Sequence, residues 1–155
     1  INESNFSDYK ISYEKNGFLI IENVFDYEKC DKIKSISGEY ADPPDYGVVL
    51  NLHRKNDYFF KLISNKDIVK LIKYIQNSDI DAVNDQFLFK KANSKYGRQS
   101  WTFHQDNSYV IAPKGTYIIV HIAVDRSVKE NGGLIFLPGS HHEEILEFKH
   151  NKSWR

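Results

Sequence analysis

The residues best placed to do chemistry lie in Trp101-Thr-Phe-His-Gln-Asp106, where His104 and Asp106 stand two positions apart. In an extended segment, side chains at i and i+2 leave the same face, so imidazole and carboxylate converge on one point. One histidine nitrogen and one carboxylate oxygen are two of the three donors of a 2-His-1-carboxylate facial triad. That triad holds non-haem Fe(II) on one face and leaves the opposite positions open. Two donors do not fix the metal, and Zn(II) or Ni(II) would accept the same pair. A lone His-x-Asp is equally a surface histidine beside a solvated aspartate, so the reading depends on the neighbouring blocks.

Those blocks follow in order. Thr116 to Val124 is an apolar, β-branched run, and 125–130 forms a polar turn. Asn131-Gly-Gly supplies a tight turn, and Leu134 to Leu137 reads as a further strand closed by Pro138-Gly-Ser. The sequence His104-Gln105-Asp106, Ile122-Ala-Val-Asp125, Glu130-Asn-Gly-Gly133 and Leu137-Pro-Gly-Ser-His141 resembles the phytanoyl-CoA dioxygenase family of Fe(II)- and 2-oxoglutarate-dependent oxygenases. The opening Tyr13-Glu-Lys-Asn-Gly-Phe-Leu-Ile-Ile21, followed by Val24-Phe25 and a helix, is also similar to that family. The resemblance runs from about residue 10 to about residue 142.

This resemblance implies a double-stranded β-helix, the jelly-roll or cupin-like barrel, within an α+β layout. It implies Fe(II), 2-oxoglutarate and dioxygen as cofactor and co-substrates, with His104 and Asp106 as metal ligands. The reaction implied is hydroxylation of a small-molecule C–H bond, with release of succinate and carbon dioxide. Related halogenases carry a small residue in place of the carboxylate, so Asp106 argues for hydroxylation. By the same resemblance Gln105 lies at the edge of the 2-oxoglutarate site, and His121 and Phe87 line the pocket. Each has a plainer reading beside it: a polar strand residue for Gln105, a satisfied core histidine for His121, and core packing for Phe87. Tyr109 reaches either the metal pocket or only its packing neighbours. His141 and His142 are read as structural or surface residues.

The resemblance also implies a third histidine ligand on a later strand, and beyond it an arginine that pairs with the distal carboxylate of 2-oxoglutarate. Seventeen residues follow Pro138, too few to complete such a barrel. His150 and Arg155 are the candidates at hand, at compressed spacing. The barrel is therefore expected to be incomplete at its C-terminal end. Ile1 as first residue and the absence of Met point the same way, toward an excerpt of a longer product. A non-catalytic, cupin-like binding module without a complete triad is the alternative function.

The elements that must position these residues divide the chain into a helical part, 1–80, and a barrel part, 81–155, within one domain. Residues 1–12 are polar and expected to fray, with a short helix around Tyr9–Tyr13 ended at Gly17. Phe18 to Ile21 reads as a strand. Asp26 caps a helix running to Ser37, on which Cys30, Ile33 and Ile36 share a face, so Cys30 reads as a small buried hydrophobe. Residues 38–47 form a Pro43-Pro44 loop, and Val48 to Leu52 a short strand. Asn65 caps a helix over Lys66–Gln76, with Ile68, Leu71, Ile72 and Ile75 at i, i+3, i+4, i+7. Ala82 to Lys90 alternates, placing Val83, Asp85, Phe87 and Phe89 on one face. Further strands are expected at 100–104, 116–124 and 133–137.

Composition narrows the classes. The 155 residues carry 21 basic and 21 acidic side chains, which gives no electrostatic basis for nucleic acid or an anionic membrane surface. No apolar run approaches spanning length. A single cysteine excludes an internal disulfide and makes a reducing, cytoplasmic setting the expectation. Ten Tyr and ten Phe suit a sheet-rich interior.

Overall fold

The computed structural model describes residues 1–41, 47–90, 93 and 102–146. Helix α1 spans Phe6–Asn16, entered through a 3₁₀ turn at Glu3–Asn5 in which the Asn2 side chain accepts from Ser4 N–H. It ends at Gly17 (φ 81°), whose N–H returns to the Tyr13 carbonyl, and a left-handed residue there favours glycine. The expected fraying of residues 1–12 is corrected. Phe6 is buried against the Tyr74 ring at 5.5 Å between centroids, and that packing holds the first turns.

Helix α2 (Tyr27–Gly38) starts where its cap predicts, with Asp26 Oδ1 accepting from Lys29 N–H at 2.8 Å. Ile33 is buried, Ile36 packs on the core and Cys30 is half-buried, in keeping with the shared face. Helix α3 (Asp57–Ile63) was not anticipated. Its local signal is Asn56, whose side chain accepts from Tyr58 N–H directly ahead of the apolar Tyr58-Phe59-Phe60 run. Helix α4 (Lys66–Gln76) has the expected bounds, with Asn65 Oδ1 accepting from both Asp67 and Ile68 N–H at 3.1 Å. Leu71 is its most buried residue, and α1 packs alongside.

Strands β1 (Val48–Leu50) and β2 (Gln86–Leu88) pair antiparallel, with Val49 opposite Phe87. Leu52, expected to end a strand, instead lies in a 3₁₀ turn at Leu52–Arg54 and is fully buried. Ile33, Val49, Leu52 and Phe59 form the core, with Phe87, Phe89 and Val124 packed against it. The alternation of 85–90 holds inward for Phe87 and Phe89, whereas Val83 is exposed. Burying a side chain such as Leu52 contributes about 1.5–3 kcal/mol.

The strands expected at 18–21, 102–104, 116–124 and 133–137 are absent as ladders; among the described residues only β1 and β2 pair. An apolar, β-branched run becomes a strand only when another backbone lies within hydrogen-bonding reach. The described residues thus show helices and a small sheet, and the closed barrel is not among them. The Pro43-Pro44 loop, Trp101, His150 and Arg155 lie outside the described residues. Among the described residues no helix is long and apolar enough to cross a membrane.

Residues 102–146 reach the helical half at a few defined points. Val124 packs on the core, and Asp125 pairs with the Lys34 ammonium of α2 at 2.8 Å. That hydrogen bond, with a second that Lys34 donates to Asp31, holds Lys34 well above the usual lysine pKa. Lys90 Nζ donates to the Gly132 carbonyl, and Phe18 stacks on Phe136 at 5.0 Å between centroids. The Asn131-Gly-Gly turn forms as expected, with Gly132 at φ 80° and Asn131 accepting from Val128 N–H.

Candidate metal centre

His104 Nε2 and Asp106 Oδ1 lie 3.1 Å apart. The convergence expected of a strand is reached by another route. Residues 102–105 form no strand, and Asp106 adopts helical dihedrals (φ −59°, ψ −32°) as the N-cap of α5 (Asn107–Val110). A capping aspartate ordinarily accepts from the first-turn N–H groups. Asp106 makes no such bond, so its carboxylate faces His104 instead.

The surrounding loop fixes this turn. Ser108 N–H donates to the Gln105 carbonyl and Tyr109 N–H to that of Asp106. The Asn107 side chain holds Ala112 on both sides, donating to its carbonyl and accepting from its N–H at 2.9 Å. Ile111, between them, is left-handed at φ 57°, an uncommon conformation for a β-branched residue.

His104 Nδ1 lies 2.7 Å from the Thr102 carbonyl. A carbonyl only accepts, so Nδ1 carries hydrogen there, leaving Nε2 as the nitrogen that faces Asp106. Histidine ligands are commonly oriented by such a bond from the other ring nitrogen. Two donors each about 2.1 Å from one ion at right angles lie about 3.0 Å apart, so the observed separation fits two adjacent coordination positions. The Tyr109 ring meets the His104 ring edge-on, 5.8 Å between centroids. Among the described residues no group of three His, Cys, Asp or Glu side chains gathers as a metal site.

The other predicted site residues are placed differently. Gln105 gives both ends of its amide to a neighbouring segment: Nε2 donates to the Glu144 carbonyl at 3.2 Å, and Oε1 accepts from Leu146 N–H at 2.8 Å. Phe87 packs into the core beside Phe89, with ring centroids 4.6 Å apart. His121 has its pKa lowered by the desolvation its surroundings impose on the ring. No hydrogen bond, ion pair or ring contact among the described residues joins Phe87 or His121 to His104 and Asp106.

A second His–Asp pair escaped the sequence reading. His53 Nδ1 contacts Asp85 Oδ1, and the Asp85 carboxylate also accepts from the N–H groups of Leu52 and His53. The two residues are 32 positions apart, so no local spacing announces them. The carboxylate closes a ring of N–H donors at the 3₁₀ turn and ties β2 to the core, a structural role.

Comparison with known proteins bears on the same residues. The family described as Phytanoyl-CoA dioxygenase (PhyH) matches residues 45–152. A Phytanoyl-CoA dioxygenase domain-containing protein 1 homolog of Caenorhabditis briggsae is 24% identical over 191 residues, covering 88% of this chain and 65% of the relative. Its Caenorhabditis elegans counterpart is 25% identical over 190 residues, with the same coverage. The peroxisomal phytanoyl-CoA dioxygenase of Rattus norvegicus is 22% identical over 153 residues, covering 83% of this chain and 45% of the relative. The chain therefore spans about two thirds of the nematode relatives' length and under half of the rat protein's. No solved structure matches it significantly. With a match over residues 45–152 that takes in the His-x-Asp pair and the blocks after it, the chain belongs to the phytanoyl-CoA dioxygenase family.

Proposed function

We propose that this chain carries two metal ligands of an Fe(II)- and 2-oxoglutarate-dependent dioxygenase that hydroxylates a C–H bond of a small molecule. One observation carries the reading: His104 Nε2 and Asp106 Oδ1 stand 3.1 Å apart, while the Thr102 carbonyl engages the other imidazole nitrogen. Membership of a family of 2-oxoglutarate-dependent oxygenases supports it. The jelly-roll barrel general to that family is the proposed architecture, in a single domain, with the helices α1 to α4 outside it.

When bound, Fe(II) with 2-oxoglutarate and dioxygen supplies the oxidising power, and succinate and carbon dioxide are released. The chain's own residues prepare the place. His104 offers the Nε2 lone pair, its ring held by the bond to Thr102. Asp106 offers an anionic oxygen on the same side, its carboxylate spared from capping α5. Gln105 and Tyr109 flank the pair, one through the 144–146 backbone and the other against the His104 ring. In this reading His121 belongs to the lining of the co-substrate pocket.

The test is succinate formation from 2-oxoglutarate with Fe(II) under air. His104→Ala and Asp106→Ala should each lower it by more than the roughly 10- to 100-fold that losing an outer-shell partner costs. Turnover unchanged by either substitution would sink the assignment. The alternative reading is a non-catalytic, cupin-like binding module without a complete triad. It predicts metal uptake with no succinate.

A further inference from the structure

The pair His104 and Asp106 is connected, bond by bond, to the C-terminal end of α1, some ninety residues earlier in the chain. The last carbonyls of an α-helix have no partner within the helix. Two of them in α1 are taken by the 139–141 segment: Gly139 N–H donates to the Asn16 carbonyl at 2.9 Å, and His141 Nε2 to that of Glu14 at 2.8 Å. The approach is close. A β-carbon built on Gly17 would lie 2.7 Å from His141 Cγ, so the glycine is required by the contact as well as by its φ of 81°. Phe18, the residue after Gly17, stacks on Phe136 and adds a contact between the same two segments.

From this anchor the chain runs through the 3₁₀ turn Ser140–His142 to Glu144 and Leu146, whose backbone is held by both ends of the Gln105 amide. Lys114 adds a second tie, donating to the His142 carbonyl at 3.2 Å and pairing with Glu144 at 3.0 Å. Gln105 lies between the two proposed ligands, so whatever fixes its side chain fixes the peptide joining them.

We propose that residues 139–146 act as a brace between α1 and the metal pair, with His141 and Gln105 as its positioning residues. The inference rests on His104 and Asp106 holding a metal ion. His141 sets where the segment sits on α1, and Gln105 transfers that position to the two ligands. Neither touches the ion.

The test uses the full chain and Co(II) as the probe, with affinity and the visible absorption of the bound ion as readouts and thermal melting followed in parallel. His141→Ala should weaken Co(II) binding about 10-fold, within the range typical of lost outer-shell support, and shift the absorption bands. His141→Gln, which can still donate to the Glu14 carbonyl, should restore most of both. Gln105→Leu cuts the brace at its other end and serves where His141→Ala does not fold. The double variant His141→Ala/Gln105→Leu should bind scarcely worse than the weaker single one, because both break one connection.

Affinity and bands unchanged in His141→Ala or Gln105→Leu, beside a His104→Ala variant that no longer binds, would overturn the brace alone. Strictly additive losses in the double variant would also overturn it. A His104→Ala variant that binds Co(II) as well as the unsubstituted chain would remove the metal reading, and the brace would fall with it.

Discussion

The helical half and the half that carries the family's blocks solve the problem of order in opposite ways. Every buried hydrophobic among the described residues (Phe6, Ile33, Val49, Leu52, Phe59 and Leu71) precedes residue 90. Residues 102–146 contribute Val124 to that core, while Phe103, Ile111, Ile135 and Leu146 remain 60–80% exposed. The first half is held by burial, and the second by polar ties: Asn107 to Ala112, Gln105 to 144–146, and Asn131 to 126–128. The difference shows what each half depends on. Helices close their hydrogen bonds within one segment and need only one packed face, whereas apolar extended runs need a second backbone beside them.

Substitutions can break or sharpen this contrast. The largest stability effect should come from Phe59→Ala, which empties the centre of the core and should cost about 3–5 kcal/mol in urea unfolding. His104→Ala, with a half-exposed partner, should leave the same unfolding curve nearly unmoved while abolishing metal uptake. If both substitutions lowered stability alike, the two halves would not be independent. Gly17→Ala comes next, at about 1–2 kcal/mol for a side chain in the left-handed region, with His141 displaced in addition. Its melting curve should therefore move together with Co(II) affinity, unlike that of Phe59→Ala at temperatures where the chain is folded.

Asn65→Ala removes a cap that satisfies two N–H groups of α4 and should cost about 1 kcal/mol, with no effect on the metal pair. The smallest effect concerns His121. Its folded-state pKa is lowered, so the unfolded chain takes up the proton first and stability falls as pH drops below about 6.5. Above that value the contribution is fully present. Much of the side chain is exposed, so the slope is shallow. His121→Gln should flatten the pH 5–7 part of the stability profile, and an unchanged profile would show that the ring is solvated in both states.

The α2 and α4 helices were legible because their signals are local: Asp26 and Asn65 as caps, and apolar residues at helical spacing behind them. Gly17 announced the end of α1 for the same reason. Helix α3 carries a local cap at Asn56 but spans only Asp57–Ile63, too short for the i, i+3, i+4, i+7 pattern that marks α4. The His-x-Asp pair was legible by residue type and spacing, although its convergence comes from a turn into α5 and not from the alternation of a strand.

What the sequence by itself determined is thus the types and spacing of His104 and Asp106, the bounds of α2 and α4, the end of α1 and the family, all carried by residues within a few positions of one another or in fixed order. The tertiary structure decided the rest. It put Gln105 on the 144–146 backbone, His141 on the carbonyl of Glu14, Asp85 on the turn at Leu52 and His53, and Phe87 in the core. Each of these contacts joins residues more than thirty positions apart or turns on which face of a chain meets another, and a local pattern holds no record of either.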